Sequence, residues 1–82
     1  MSVKQISVFL ENMPGSLSHL TKVLGDNGID MRAFSLAEAS DFGIARIIVD
    51  DVYATTTVLR DAGFIHSVSS VLAVAQIGRA HV

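Results

Sequence analysis

Two periodicities alternate along the chain. From Val3 to Leu10 the apolar residues Ile6, Val8 and Leu10 fall on one face and Val3, Gln5, Ser7 and Phe9 on the other, which predicts a strand. Leu17, Leu20 and Leu24, with Val23 beside them, then recur at helical spacing while Ser18, His19 and Lys22 point away. Asn27-Gly28 supplies a stop, so the first helix is expected over about residues 16–27. A second strand is expected from Ile29 to Glu38, where Met31, Ala33 and Ser35 oppose Arg32, Phe34 and Leu36. The turn chemistry of residues 39–43 leads into the β-branched run Gly43–Val49, so the two strands read as a hairpin with a loop longer than two residues. Asp50 and Asp51 open a second helix, whose stripe is Ala54, Val58 and Ala62 with Thr55 and Leu59 alongside, and Gly63 ends it. Alternation from Ser67 to Gln76 gives a fourth strand.

The order strand, helix, strand, strand, helix, strand predicts an α+β fold, a ferredoxin-like βαββαβ sandwich with a four-stranded antiparallel sheet and two helices on one face. Right-handed crossovers give the spatial order 4-1-3-2, with strands one and three central. Two helices shield one side only. Val3, Phe9, Ile44 and Ile48 on the other side therefore predict contact with another domain or subunit.

The junction Glu11-Asn12-Met13-Pro14-Gly15-Ser16-Leu17 organises this arrangement. Pro14 cannot donate to a sheet ladder, so the strand must end here, and Ser16 is placed to cap the helix that follows. The free N–H groups of a helix start attract carboxylate or phosphate, which makes this turn the first candidate for binding a small molecule.

Composition narrows the function. The chain of 82 residues accommodates one small domain, and with half of its residues hydrophobic and 6 % aromatic its core is aliphatic. A net charge of −2 with six scattered Lys and Arg residues argues against nucleic acid as a partner. The absence of cysteine excludes disulfides and thiolate chemistry and fits a cytoplasmic protein, and no run of apolar residues is long enough to predict a membrane span. His19 and His66 have no companions at metal-ligand spacing, so no metal is expected. No phosphate loop, nucleophile elbow or cofactor motif is present, and the turn after strand one lacks the Arg that an acylphosphatase-type enzyme of this topology needs, so the chain is not expected to be an enzyme or to carry a cofactor. Arg32 and Arg46 are expected to pair with Glu38 or Asp41 across the hairpin, the alternative being a partner-facing surface.

Ile77-Gly78-Arg79-Ala80-His81-Val82 breaks the preceding alternation and matches one reading frame of a widely used sequencing adapter (ATC GGA AGA GCA CAC GTC). The expectation is a domain over residues 1–76 and a non-native tail over 77–82.

Asn12-x-Pro14-Gly15-x-Leu17, Gly28-Ile29-Asp30-Met31 and Asp41-Phe42-Gly43-Ile44-Ala45-Arg46, in this order and spacing, resemble the ACT domain over about residues 3–76. Within that superfamily the chain is similar to the first half of small proteins made of two tandem ACT domains. A second copy does not follow, which makes a truncated fragment the expectation. The resemblance implies a non-catalytic regulatory module binding a free amino acid or similar metabolite at an interface between domains, as a homo-oligomer or with a second ACT domain. The alternatives are an assembly module without ligand and the regulatory fragment of a larger amino-acid-metabolism enzyme. Carried over by position, the implied ligand contacts are Asn12, Met13, Pro14, Gly15, Ser16 and Leu17 at the turn and Asp30 at the start of strand two. A side-chain amide is common in the family where this chain has Asp30, and an ionised carboxylate there favours a ligand amine over a ligand carboxylate. On this picture the ligand's carboxylate meets N–H groups around Gly15, Ser16 and Leu17 and its ammonium meets Asp30 or Asn12. Each charge-assisted bond contributes about 1.5 to 3 kcal/mol when shielded from water.

Overall fold

A computed structural model describes residues 2–11 and 13–72. The elements are β1 (Ser2–Glu11), α1 (Met13–Asp26), β2 (Met31–Glu38), β3 (Phe42–Val49), α2 (Val52–Asp61) and β4 (His66–Leu72). They form a four-stranded antiparallel sheet in the order β2-β3-β1-β4, the predicted arrangement read from its other edge. The fold is the ferredoxin-like sandwich. The expected extension of β4 to Gln76 and the tail at 77–82 lie outside the described residues.

Alternation decides which residues meet the helices. Ile6 and Val8 of β1 pair along the centre with Ile47 and Ala45 of β3, and these join Leu10, Val49, Leu20, Leu24 and Leu59 in one buried cluster. Leu17, Ile29, Leu36, Val52 and Phe64 pack around it. Each fully buried Leu or Ile contributes about 1.5–3 kcal/mol relative to exposure, so this aliphatic cluster is the principal source of stability. The burial of α2 is centred one residue away from the expected stripe. Thr55 and Leu59 are its buried residues, while Ala54, Val58 and Ala62 are half-buried.

Thr55 is the buried polar side chain among the described residues. Its hydroxyl donates to the Asp51 carbonyl at 2.8 Å, so it carries no unsatisfied group into the core. Asp51 is the N-cap of α2 and its side chain accepts from the Ala54 amide at 3.0 Å.

Both helices stop by the same device. Gly28 and Gly63 take positive φ angles of 66° and 83°. The following residues reach back across the turn, with Ile29 N donating to Leu24 O at 3.0 Å and Phe64 N to Leu59 O at 2.9 Å. Gly28 N and Gly63 N donate to Gly25 O and Arg60 O, both at 3.1 Å, which completes a Schellman motif in each case. Ile29 and Phe64 then fold onto the core, so each stop also aims the chain into the next strand.

β2 is an edge strand and almost wholly exposed. Leu36 is its one half-buried residue, and Met31 and Phe34 remain 40 % and 42 % exposed on the helix side of the sheet. A register shift between Met31 and Ala33 marks a bulge at its start. Ala39 N donates to Phe42 O at 2.8 Å and closes the hairpin loop to β3, which is longer than two residues, as expected.

Candidate functional site

The turn after β1 is tighter than the sequence suggested. α1 begins at Met13, so Pro14 and Gly15 lie inside its first turn. Proline is tolerated there because first-turn amides have no intrahelical acceptor and its fixed φ suits the helix. Ser16 is consequently not the helix cap: it is a helical residue whose hydroxyl donates to the Glu11 carbonyl, tying the helix back to the end of β1. Asn12 lies outside the described residues.

The amide count changes accordingly. Pro14 has no N–H, and Leu17, one turn in, donates to the carbonyl four residues back within the helix. Leu17 instead packs its side chain against the core. Gly15 is exposed in the first turn, and that turn holds no acidic side chain to neutralise the positive end of the helix.

A cleft of about 180 Å³ opens beside this turn. Its walls include Glu11 and Phe9 from β1, Ser16 and His19 from α1, and Phe64 and Ile65 from the connection to β4. The His19 and Phe64 rings lie 5.1 Å apart and close one side. Glu11, His19, Phe64 and Ile65 were not among the ligand contacts expected from the sequence. Glu11 adjoins the turn and was within reach of sequence reasoning, whereas Phe64 and Ile65 arrive from about fifty residues downstream by tertiary folding.

Asp30 is elsewhere. Glu11 pairs with Phe42 at one end of β3, and Met31, next to Asp30, pairs with Val49 at the other. Seven residues of strand separate these positions, about 23 Å at 3.3 Å per residue. One domain therefore does not bring Asp30 to the Gly15 turn.

Asp30 belongs to a charged group at the start of β2. Its carbonyl accepts from the Asp50 amide at 3.4 Å, and Arg32 donates to the Asp50 carboxylate. That hydrogen bond from Arg32 holds Asp50 below the usual carboxylate pKa, and the bond to Asp50 raises Arg32, with Asp30 adding a smaller push. Pairing across the hairpin with Glu38 or Asp41 does not occur. Arg32 uses the acid that follows β3 because the bulge at the start of β2 lies beside that end, and Arg46 makes no ion pair among the described residues.

Among the described residues no three His, Cys, Asp or Glu side chains converge as metal ligands, and no helix is long and apolar enough to cross a membrane. The chain's ordered elements and Pro-Gly turn find their counterpart in one family, the ACT domain pair, whose pattern matches residues 1–81. The chain belongs to the ACT domain pair family. Protein BT0572 from Bacteroides thetaiotaomicron is 40 % identical in sequence and superimposes with a TM-score of 0.81 over 85 % of this chain and 49 % of its own. The chain thus spans about half the length of that relative. The ACT domain of prephenate dehydrogenase from Bacillus anthracis shares the fold at 19 % identity and a TM-score of 0.67, covering 77 % of this chain and 99 % of its own. The regulatory subunit of aspartate kinase from Thermus thermophilus does so at 16 % identity and 0.61, covering 80 % and 49 %. Comparison with curated proteins gives no match. ACT domains are regulatory modules, and the single βαββαβ unit described above is one such module.

Proposed function

We propose that this ACT module is a non-catalytic sensor of the cytoplasm that binds a free amino acid or a similar small metabolite between itself and a companion ACT unit. The observation that carries the reading is the cleft beside the first turn of α1, where the first-turn amides of a helix start that holds no acidic side chain lie next to Glu11. A zwitterion satisfies both, its carboxylate on the amide and its ammonium on a carboxylate. Asn12, Met13, Pro14, Gly15, Ser16 and Leu17 form the ligand-binding turn, with Ser16 acting by fixing the turn to Glu11 and Leu17 by anchoring it to the core.

Asp30 joins such a site only from the companion, because the two ends of one sheet lie about 23 Å apart. A second unit, either the other member of the pair or a second copy in a homodimer, supplies its own Asp30 to this turn when placed beside it in opposite orientation. Ligand held across the junction then favours the assembled arrangement by the difference in its affinity for the two states. Regulation follows from that difference.

Thermal unfolding of the full chain in the presence of each of the twenty amino acids tests the reading. A rise in midpoint with one chemical class, lost in Asp30→Ala, is the expected result. The exposed edge of β2 favours a second reading, an assembly module without ligand. A mass that grows with protein concentration, with no amino acid moving the midpoint, would establish that reading and sink the first.

A further inference from the structure

The face of the sheet turned away from the helices carries an ordered pattern of its own. Ser7, Phe9, Ile44 and Arg46 alternate with the buried Ile6, Val8, Ala45 and Ile47 and so project from this outer face. Register sets them in two rows. Ser67, Ser7, Arg46 and Ser35 lie opposite one another across β4, β1, β3 and β2. Next to this row Ile65, Phe9, Ile44 and Ala37 do the same, with Phe9 N donating to Ile65 O at 2.8 Å. A depression of about 180 Å³ sits where the rows meet, walled by Phe9, Ile44 and Ile65 and by Ser7, His66 and Ser67. Phe42 stacks on Phe9 with ring centroids 5.3 Å apart and extends the apolar wall.

Arg46 lies outside the lining of this depression but next to it in register, two residues along β3 from Ile44 and directly opposite Ser7. It is exposed and makes no ion pair among the described residues, so none of their carboxylates occupies its fork of N–H donors. We propose that the outer face holds a second small-molecule site, which takes a monocarboxylate with a short apolar tail. The tail covers Phe9, Ile44 and Ile65, and the carboxylate meets the Arg46 guanidinium with the Ser7 and Ser67 hydroxyls as further donors. At about 180 Å³ the depression is small, which limits the tail to a short aliphatic chain. Nothing in this site depends on Gly15, Asp30 or a companion unit, so it stands or falls separately from the amino-acid site.

Titration of the full chain with 4-methylpentanoate, followed through backbone amide NMR shifts, tests the proposal. Saturable shifts at Ser7, Phe9, Ile44, Arg46 and Ser67 are expected, and 4-methylpentanamide, which lacks the charge, should bind at least about tenfold more weakly. Arg46→Gln should lose binding by a similar factor, while Arg46→Lys restores part of it; both exposed variants should keep the parent's amide dispersion elsewhere. Shifts confined to the Gly15 turn, equal affinity for acid and amide, or no shifts at all would overturn the proposal. So would shifts on this face that follow protein concentration and not the added acid, since they would mark it as a contact between protein molecules.

Discussion

Thr55 offers a direct test of what a buried hydroxyl contributes to this core. Its Oγ1 donates at 2.8 Å to the Asp51 carbonyl, and the same carbonyl already accepts the Thr55 amide at 3.1 Å. Replacing Thr55 by Val removes a neutral hydrogen bond, about 1 kcal/mol, but orphans no acceptor because the amide remains. The new methyl is buried in the position of the hydroxyl and returns about 0.8 kcal/mol. Helix propensities of Thr and Val are nearly equal, so they do not decide the sign. Thr55→Val should therefore stay within about 0.5 kcal/mol of the parent, a shift in Tm of less than about 4 °C for a domain of this size. Thr55→Ser keeps the hydrogen bond and deletes the methyl from a fully buried site, which costs about 0.5–1.5 kcal/mol in transfer and cavity terms. The expected order is parent and Val together, Ser below. Urea unfolding monitored by far-UV circular dichroism, run at two protein concentrations to separate folding from association, reads that order. A Val variant less stable than the Ser variant would refute the reasoning and show that the hydroxyl, not the methyl, holds α2 in place.

Gly28→Ala and Gly63→Ala should each cost about 1–2 kcal/mol, since their φ angles of 66° and 83° strain any Cβ while the space around both is open; the same unfolding assay checks this, and a neutral result would mean that the helix ends relax. Asp50 is held below its ordinary pKa by Arg32, so its contribution to stability is present above the unfolded-state carboxylate pKa and is lost as pH falls through the lower folded value. Asp50→Asn should accordingly flatten the acid limb of Tm against pH below about pH 4 and leave its shape unchanged near neutrality; an unchanged acid limb would refute the assignment.

Much of the fold could be read from local pattern because local and tertiary demands agree. Ile6, Val8 and Leu10 alternate strictly and are all buried, and Gly28 and Gly63 each end a helix with a positive φ. Legibility failed where a second segment decides the outcome. Ser16 has the residue type and position of a cap, yet Pro14 and Gly15 are already helical and its hydroxyl turns back to Glu11. Arg32 has acids nearer along the hairpin than Asp50, and the register of β2 on β3, which sets Met31 opposite Val49, explains its choice. On α2, Ala54 and Thr55 are equally plausible stripe centres by spacing, and packing selects Thr55. The turn at Gly15 was legible as a candidate site, but its cleft was not, because Phe64 and Ile65 complete it from the far end of the chain. The separation of Asp30 from that turn emerges only from the sheet register.

The bulge and Arg32 disrupt only the beginning of the β2 border. Ala33-Phe34-Ser35-Leu36-Ala37, which follows, bears neither charge nor proline and leaves one side of its peptide groups available for bonding. Such a stretch is a template on which any extended polypeptide can continue the ladder, without regard to side-chain identity. A partner that covered that margin would do two jobs, guarding solubility as well as setting geometry, and a preparation with the margin open should be kept dilute.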